Sequence, residues 1–236
     1  MRKIFLLLSL SIILFSCSKE RETNMIVTGQ IKGLKKGKLY LQKMKDTLLV
    51  TVDSIALIGT ESFELKDFVD SPVLYYLTFD ANNAEKSILF FGEEGTITIN
   101  DNVENFGVFP EINGSKNQVL LDKYKLMSQK FQEQNLELIK LDFEAKKAND
   151  KNLIEKVEND YKRLVRRRVL YTANFAITNA DSEVAPYLAL TELYDATLPL
   201  LDTVNAALSD RIKASTYGKR YQEYLEQIKK QEKNKK

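Results

Sequence analysis

The hydrophobic period of this chain changes once, near Gly114, and that change limits what it can fold into. Before Gly114, short alternating runs are separated by turn residues, the pattern of half-buried strands. "TGQIKGL" and "KLYLQKM" flank the turn "KKGK", and "TLLVTVDS" places Leu48, Val50 and Val52 on one face. "SFELKDF" puts Phe63 and Leu65 inward and Glu64 and Lys66 outward. "PVLYYLTF" is apolar on both faces, with Val73, Tyr75, Leu77 and Phe79 on one and Leu74 and Tyr76 on the other. A strand of that kind belongs in the middle of a sheet covered on both sides. "SILFF", "TITIN" and "FGVFPEI" complete seven or eight strands, enough for an antiparallel sandwich or partly closed barrel.

After Gly114 the apolar residues recur at steps of three and four. Ser115 followed by Gln118 is a capping-box signature. Leu120, Tyr124, Met127, Phe131, Gln134, Leu138, Leu141, Ala145 and Ala148 then form one stripe on a long helix. "ANDKN" interrupts it, with Asp150 as the N-cap of a second helix from about Lys151 to Thr178. Val157, Tyr161, Leu164, Tyr171 and Phe175 are its inward residues, so the two helices make an antiparallel hairpin. A shorter helix capped by Ser182, a turn or two in "LPLLDTVNAAL" and a charged terminal helix follow. The fold class is therefore α+β, a β-sandwich over 25–113 and a helical region over 114–236.

The segment ahead of the first strand carries a different signal. Arg2 and Lys3 precede an apolar run from Ile4 to Phe15, too short to span a membrane, which takes about 20 residues. It suits the hydrophobic region of a signal peptide over residues 1–16. "LFSC", ending in Cys17, resembles a bacterial lipobox. That resemblance implies cleavage before Cys17, lipid on its sulfur and acylation of the new amino group. Ser18 in place of aspartate favours the outer membrane by analogy with envelope sorting. Residues 17–24 then read as a short polar tether, reaching at most roughly 25 Å. The expected partners are thus a membrane, through the lipid, and an envelope protein that the sequence does not identify.

Composition removes several chemistries. The chain has one cysteine, no histidine and no tryptophan. Without histidine there is no Ser-His-Asp or Cys-His catalysis, no imidazole metal site and no imidazole general base. With Cys17 lipidated, no thiol remains for disulfide exchange. Removing Arg2 and Lys3 from 35 Lys+Arg leaves 33, equal to the 33 Asp+Glu, so charge gives no case for nucleic acid. No cofactor is expected, and no enzymatic activity.

Four local patterns invite functional readings. "VRRRV", with Lys162 and Arg163, puts Arg166 and Arg167 on one helical face, where an anionic headgroup or glycan would fit. Glu155, Glu158 and Asp160 lie close enough for intrahelical pairs, so a solvated face is preferred. Glu93 and Glu94 in "FGEEG" are adjacent turn acids, unlike the spaced pair that a glycosidase-type cleft requires. Asn100, Asn102 and Glu104 alternate as in a calcium loop but lack its acid count. Tyr217, Tyr221 and Tyr224 form an i, i+4, i+7 stripe near the chain end, with the least core left to cover. They are the expected interaction face.

"GQIKGLKKGKLYLQK", "SPVLYYLTF", "FGEEGTITI" and "INGSKNQ" resemble, in order and spacing, a domain of unknown function. It forms the N-terminal region of thioredoxin-family lipoproteins from Bacteroidota. "SEVAPYLAL" and "STYGKRYQEYLEQI" resemble the helical segment that follows it there, so the likeness spans roughly residues 25–228. In those relatives a thioredoxin-like domain with a Cys-x-x-Cys site comes next. This sequence has no Cys-x-x-Cys, so the resemblance does not carry the redox activity over. The expectation is a non-enzymatic, outer-membrane-anchored interaction or accessory module facing the periplasm. The alternatives are an accessory subunit that positions a separate thioredoxin-like oxidoreductase, and a carboxylate-dependent envelope hydrolase.

Overall fold

The structure, a computed structural model, describes residues 22–79 and 87–234. Cys17 and the segment before it lie outside the described residues. Eight strands come first: β1 (Met25–Lys32), β2 (Lys36–Lys45), β3 (Leu48–Ile58), β4 (Ser62–Asp67), β5 (Val73–Phe79), β6 (Ser87–Gly92), β7 (Gly95–Asn102) and β8 (Glu111–Asn113). They form two four-stranded sheets, ordered β4-β1-β7-β8 and β3-β2-β5-β6. This is an open sandwich, and the one parallel pairing recorded in it is β1 with β7. Six helices follow: α1 (Lys116–Ala148), α2 (Lys151–Thr178), α3 (Val184–Glu192), α4 (Leu198–Ala207), α5 (Asp210–Ala214) and α6 (Thr216–Asn234). The change of period at Gly114 is thus the change from strands to helices. The segment read as an eighth strand, "FGVFPEI", is shorter than expected: after a 3-10 turn at Val103–Asn105, residues 106–109 are turn and bend, and pairing begins only at Glu111, in the strand Glu111–Asn113.

The sandwich core is filled from both inner faces by residues such as Val27, Ile31, Leu39, Leu41, Leu65, Leu77, Phe90 and Ile97. The expected face of β3 needs correction. A bulge lies where Leu41 pairs Asp53 but Gln42 pairs Thr51. The extra residue shifts the alternation, so Ile55 and Val52 both pack on the core. Leu48, beyond the sandwich edge, is 69% exposed. Next to the bulge, Asp53 accepts hydrogen bonds from the Ser54 and Lys66 amides and so ties β3 to β4 of the other sheet.

β5 is covered on both sides, as its two apolar faces require. Tyr75 and Leu77 enter the sandwich, while Leu74 joins Phe91, Leu121, Tyr124, Val184, Leu188 and Tyr217 under the helices. The remaining core packs α2 to α6 together around Ala176, Leu193, Leu201, Ile212 and Tyr221. A Cβ on Gly218 would stand 1.8 Å from the Ile212 carbonyl oxygen, so the glycine of "STYGK" lets α6 start against α5. Among the described residues no helix is long and apolar enough to cross a membrane.

Candidate functional site

The tyrosine stripe that sequence singled out is not a surface. Tyr221 is 0% exposed and donates a hydrogen bond to the Leu201 carbonyl at 2.8 Å. Tyr217 is 9% exposed and packs against Phe91 and Tyr187, while its hydroxyl accepts from the Leu74 amide at 3.1 Å. Tyr224 is half-buried and its hydroxyl donates to the Tyr194 carbonyl. The stripe has a whole sheet face and three helices to cover, which a chain-end position did not suggest.

The other patterns also resolve into structural work. Asn100 Oδ1 accepts from the Gln30 amide, and Asn102 Oδ1 accepts from the Glu104 amide to cap the 3-10 turn. Among the described residues no group of three or more His, Cys, Asp or Glu side chains is placed to hold a metal ion. Tyr75, buried in the sandwich, donates to Asp67 at 2.6 Å, and Lys43 donates to both. Burial first, and then Asp67, raise the Tyr75 phenol far above its ordinary range. It stays protonated, and the triad clamps β4 of one sheet to β2 and β5 of the other.

A second cluster fastens the helices to the sandwich. Ser115 caps α1 as its sequence predicts, accepting from the Gln118 amide at 3.0 Å. The Gln118 side chain does not complete the box. It accepts from the Phe91 amide at 3.0 Å, satisfying a donor on the edge strand β6. Glu93, expected to be a solvated turn acid, is half-buried and caps the same helix through the Lys116 amide. The positive end of α1 favours a carboxylate there. Asn117 Nδ2 bridges Glu93 at 2.6 Å and Glu183 at 3.2 Å. Glu183 is 2% exposed and is paired with Arg211 at 2.6 Å. All four oxygens of the two carboxylates therefore accept protein hydrogen bonds. The Ser209 hydroxyl and then the Arg211 guanidinium hold the neighbouring Asp181 carboxyl below the usual carboxylate range. A cleft of about 540 Å³ opens beside this cluster, bordered by Asp70, Glu94 and Lys116. Nothing in the sequence marked Glu183, Asn117 or Arg211, because they belong to three separate segments and meet only in the fold.

What remains uncovered is the far part of the hairpin. The buried cluster that joins α1 to the sheet ends at Tyr124, where the phenol meets Thr172 of α2 at 2.9 Å. Beyond it α1 and α2 pack on each other as a two-helix arm, through Phe131 on Tyr171 and through Val157, Leu164 and Ala145. The sequence stripe forms this seam, but two-helix packing leaves much apolar surface in water. Tyr161, expected inward, is 49% exposed. Leu136, Ile139 and Phe143 are 65%, 55% and 70% exposed, and Ile139 borders a groove beside the seam with Val157 and Tyr161. The i, i+3, i+7 spacing makes them one short stripe. On one flank of the seam, Leu138, Leu141, Leu164 and Leu170 floor a groove of about 730 Å³ bordered by Arg163, Arg166 and Arg167. Arg163 pairs with Asp160 one turn away, and Arg167 donates to Gln134 across the hairpin at 3.0 Å. The basic cluster is thus partly used in joining the helices.

Residues 25–121 match the model of a family described as a domain of unknown function, DUF4369. The match begins at the first residue of β1, takes in the whole sandwich and ends in the second turn of α1. No curated protein and no solved structure matches the chain.

Proposed function

We propose that this chain is a lipid-anchored, non-enzymatic interaction module of the cell envelope, and that its working surface is the α1–α2 arm. The observation that carries the reading is the stripe of Leu136, Ile139 and Phe143, each more than half exposed, with Ile139 on the border of a groove shared with Val157 and Tyr161 of α2. Single exposed apolar residues are ordinary, but a contiguous stripe in water marks a surface that another molecule covers. The chemistry of the chain supports the same reading. Its two carboxylate clusters are used in holding sheets and helices together, and Tyr217 and Tyr221 of the tyrosine stripe are packed in the core. The anchor at Cys17 and the kinship with the N-terminal regions of Bacteroidota thioredoxin-family lipoproteins are part of this proposal.

The geometry of the chain entry supports an anchored arm. Asn24 is fixed by hydrogen bonds to Val69, Asp67 and Gly95, two residues from Glu93, which caps α1. The tether and the base of the arm therefore share one corner of the molecule. The 33 residues of α1 carry the tip about 50 Å along the helix from that corner. Rigid attachment of the base, through Glu93, Asn117, Gln118 and Glu183, fixes the direction in which the arm is presented.

The test is position-specific photocrosslinking in cells. A photoreactive residue at Leu136 or Phe143 should give discrete adducts, while one at Ile58, 83% exposed on the sandwich, should give none. Adducts of equal yield at Ile58, or none from the arm, contradict the proposal.

A further inference from the structure

We infer that the stripe on α1 is covered by a second copy of this chain, with the two α1 helices packed antiparallel about a two-fold axis between Ile139 and Lys140. This rests on the arm being an interaction surface and names what occupies it. Leu136, Ile139 and Phe143 occupy alternating a and d positions of a heptad, the narrow seam that one further helix covers. A two-fold antiparallel crossing centred between Ile139 and Lys140 sets Leu136 level with the partner's Phe143 and brings the two Ile139 side chains beside the axis, so the stripe is its own complement. Charge follows the same symmetry. Glu133 and Lys147 flank the stripe on one side, are exposed, and make no ion pair among the described residues. They are fourteen residues apart in the numbering, with Lys140 at the midpoint, half a residue from that axis. An antiparallel crossing therefore lays Glu133 against the partner's Lys147, twice per dimer.

The size of the stripe sets the strength. Three side chains of this exposure leave on the order of 400 Å² of apolar surface per copy. With their flanks, the pair covers about 1,000 Å² in total, the lower bound for a specific interface. Lys140 meets its own copy near the axis, and its flexible stem must carry the ammonium aside. The dimer should accordingly be weak in solution, with a Kd on the order of 1–100 µM. Confinement of anchored chains to one membrane raises their effective concentration and favours the pair.

The chain has one native cysteine, which makes a thiol test direct. The full chain carrying Cys17→Ser, purified in detergent, receives either Ile139→Cys or Leu126→Cys and is mildly oxidised. Leu126 is 65% exposed on the same helix, but thirteen residues from the axis its two copies lie about 40 Å apart. I139C should form a disulfide dimer at least tenfold faster than L126C, and sedimentation should show a dimer that Phe143→Glu weakens tenfold or more. Equal rates, or a monomer throughout, overturn the inference. Binding of the monomer to phosphatidylethanolamine vesicles containing phosphatidylglycerol, lost on Phe143→Glu, overturns it in favour of a lipid surface. If arm adducts form in cells while I139C stays monomeric, the dimer fails and the interaction module stands. If I139C dimerises and the adducts in cells contain this chain alone, the dimer stands and a heterologous partner is removed.

Discussion

Tyr221 shows how one side chain decides between surface and core. Its helical spacing with Tyr217 and Tyr224 is equally compatible with either, and only the tertiary fold places α4 over it. Replacing Tyr221 with Ser should lower stability by about 3–5 kcal/mol, since it empties a fully buried site. Tyr221→Phe keeps the ring and loses the bond to the Leu201 carbonyl, at a cost of about 1 kcal/mol. Urea denaturation distinguishes the two, and a Ser variant as stable as the parent would return the stripe to the surface. Arg211→Met is a second residue-scale case. It removes the strongest partner of the buried Glu183, but the guanidinium is 56% exposed, so water can replace part of the pair. A loss of about 1–3 kcal/mol is expected, below the cost of breaking a fully buried pair. No spacing rule finds Glu183 or Asn117, because burial of a polar group is a property of the assembled junction and not of its local segment.

At the scale of elements, strand and helix identities were legible because period 2 and period 3.6 are each sustained over many residues. Helix ends were legible where a side chain performs the cap, as Ser115 and Asp150 do. The phase of β3 was not, because a bulge adds a residue that alternation alone does not reveal. Nor was the exposed apolar stripe of α1, since the stronger seam stripe masks three residues outside it. The contacts between elements predict an alkaline weakness. Burial holds the phenols of Tyr124 and Tyr217 up at about 12, against the ordinary value of 10.0. The unfolded chain releases these protons near pH 10 and the folded chain two units later. The stabilisation they carry is therefore complete below about pH 10 and is lost as pH rises towards 12. The melting temperature should hold to about pH 10 and then fall steeply. The double variant Tyr124→Phe/Tyr217→Phe should show a shallower fall. Identical slopes would mean that other groups control the transition.

At the scale of the whole molecule, the fold makes a rigid base and a projecting arm. The sandwich presents its β5–β6 face to the helices, polar residues lock the corner where the chain enters, and α1 and α2 continue past the point where any core supports them. The anchor belongs to the same account: Cys17→Ala should release the chain from membranes or leave it as an unprocessed precursor, read by fractionation and detergent partitioning. A variant that is fully processed and still membrane-bound would remove the lipid from the proposal. The central claim is that the arm is built to be covered by another molecule. Its most direct test is the double variant Leu136→Glu/Phe143→Glu, carrying a photoreactive residue at Ile139 and compared with the parent in cells. Both substituted residues are exposed, so stability should change by no more than about 0.5 kcal/mol each. The account predicts an unchanged melting temperature and loss of the adducts formed from Ile139. Adducts that persist at full yield, or a collapse of the melting temperature showing that these residues support the fold, would contradict it.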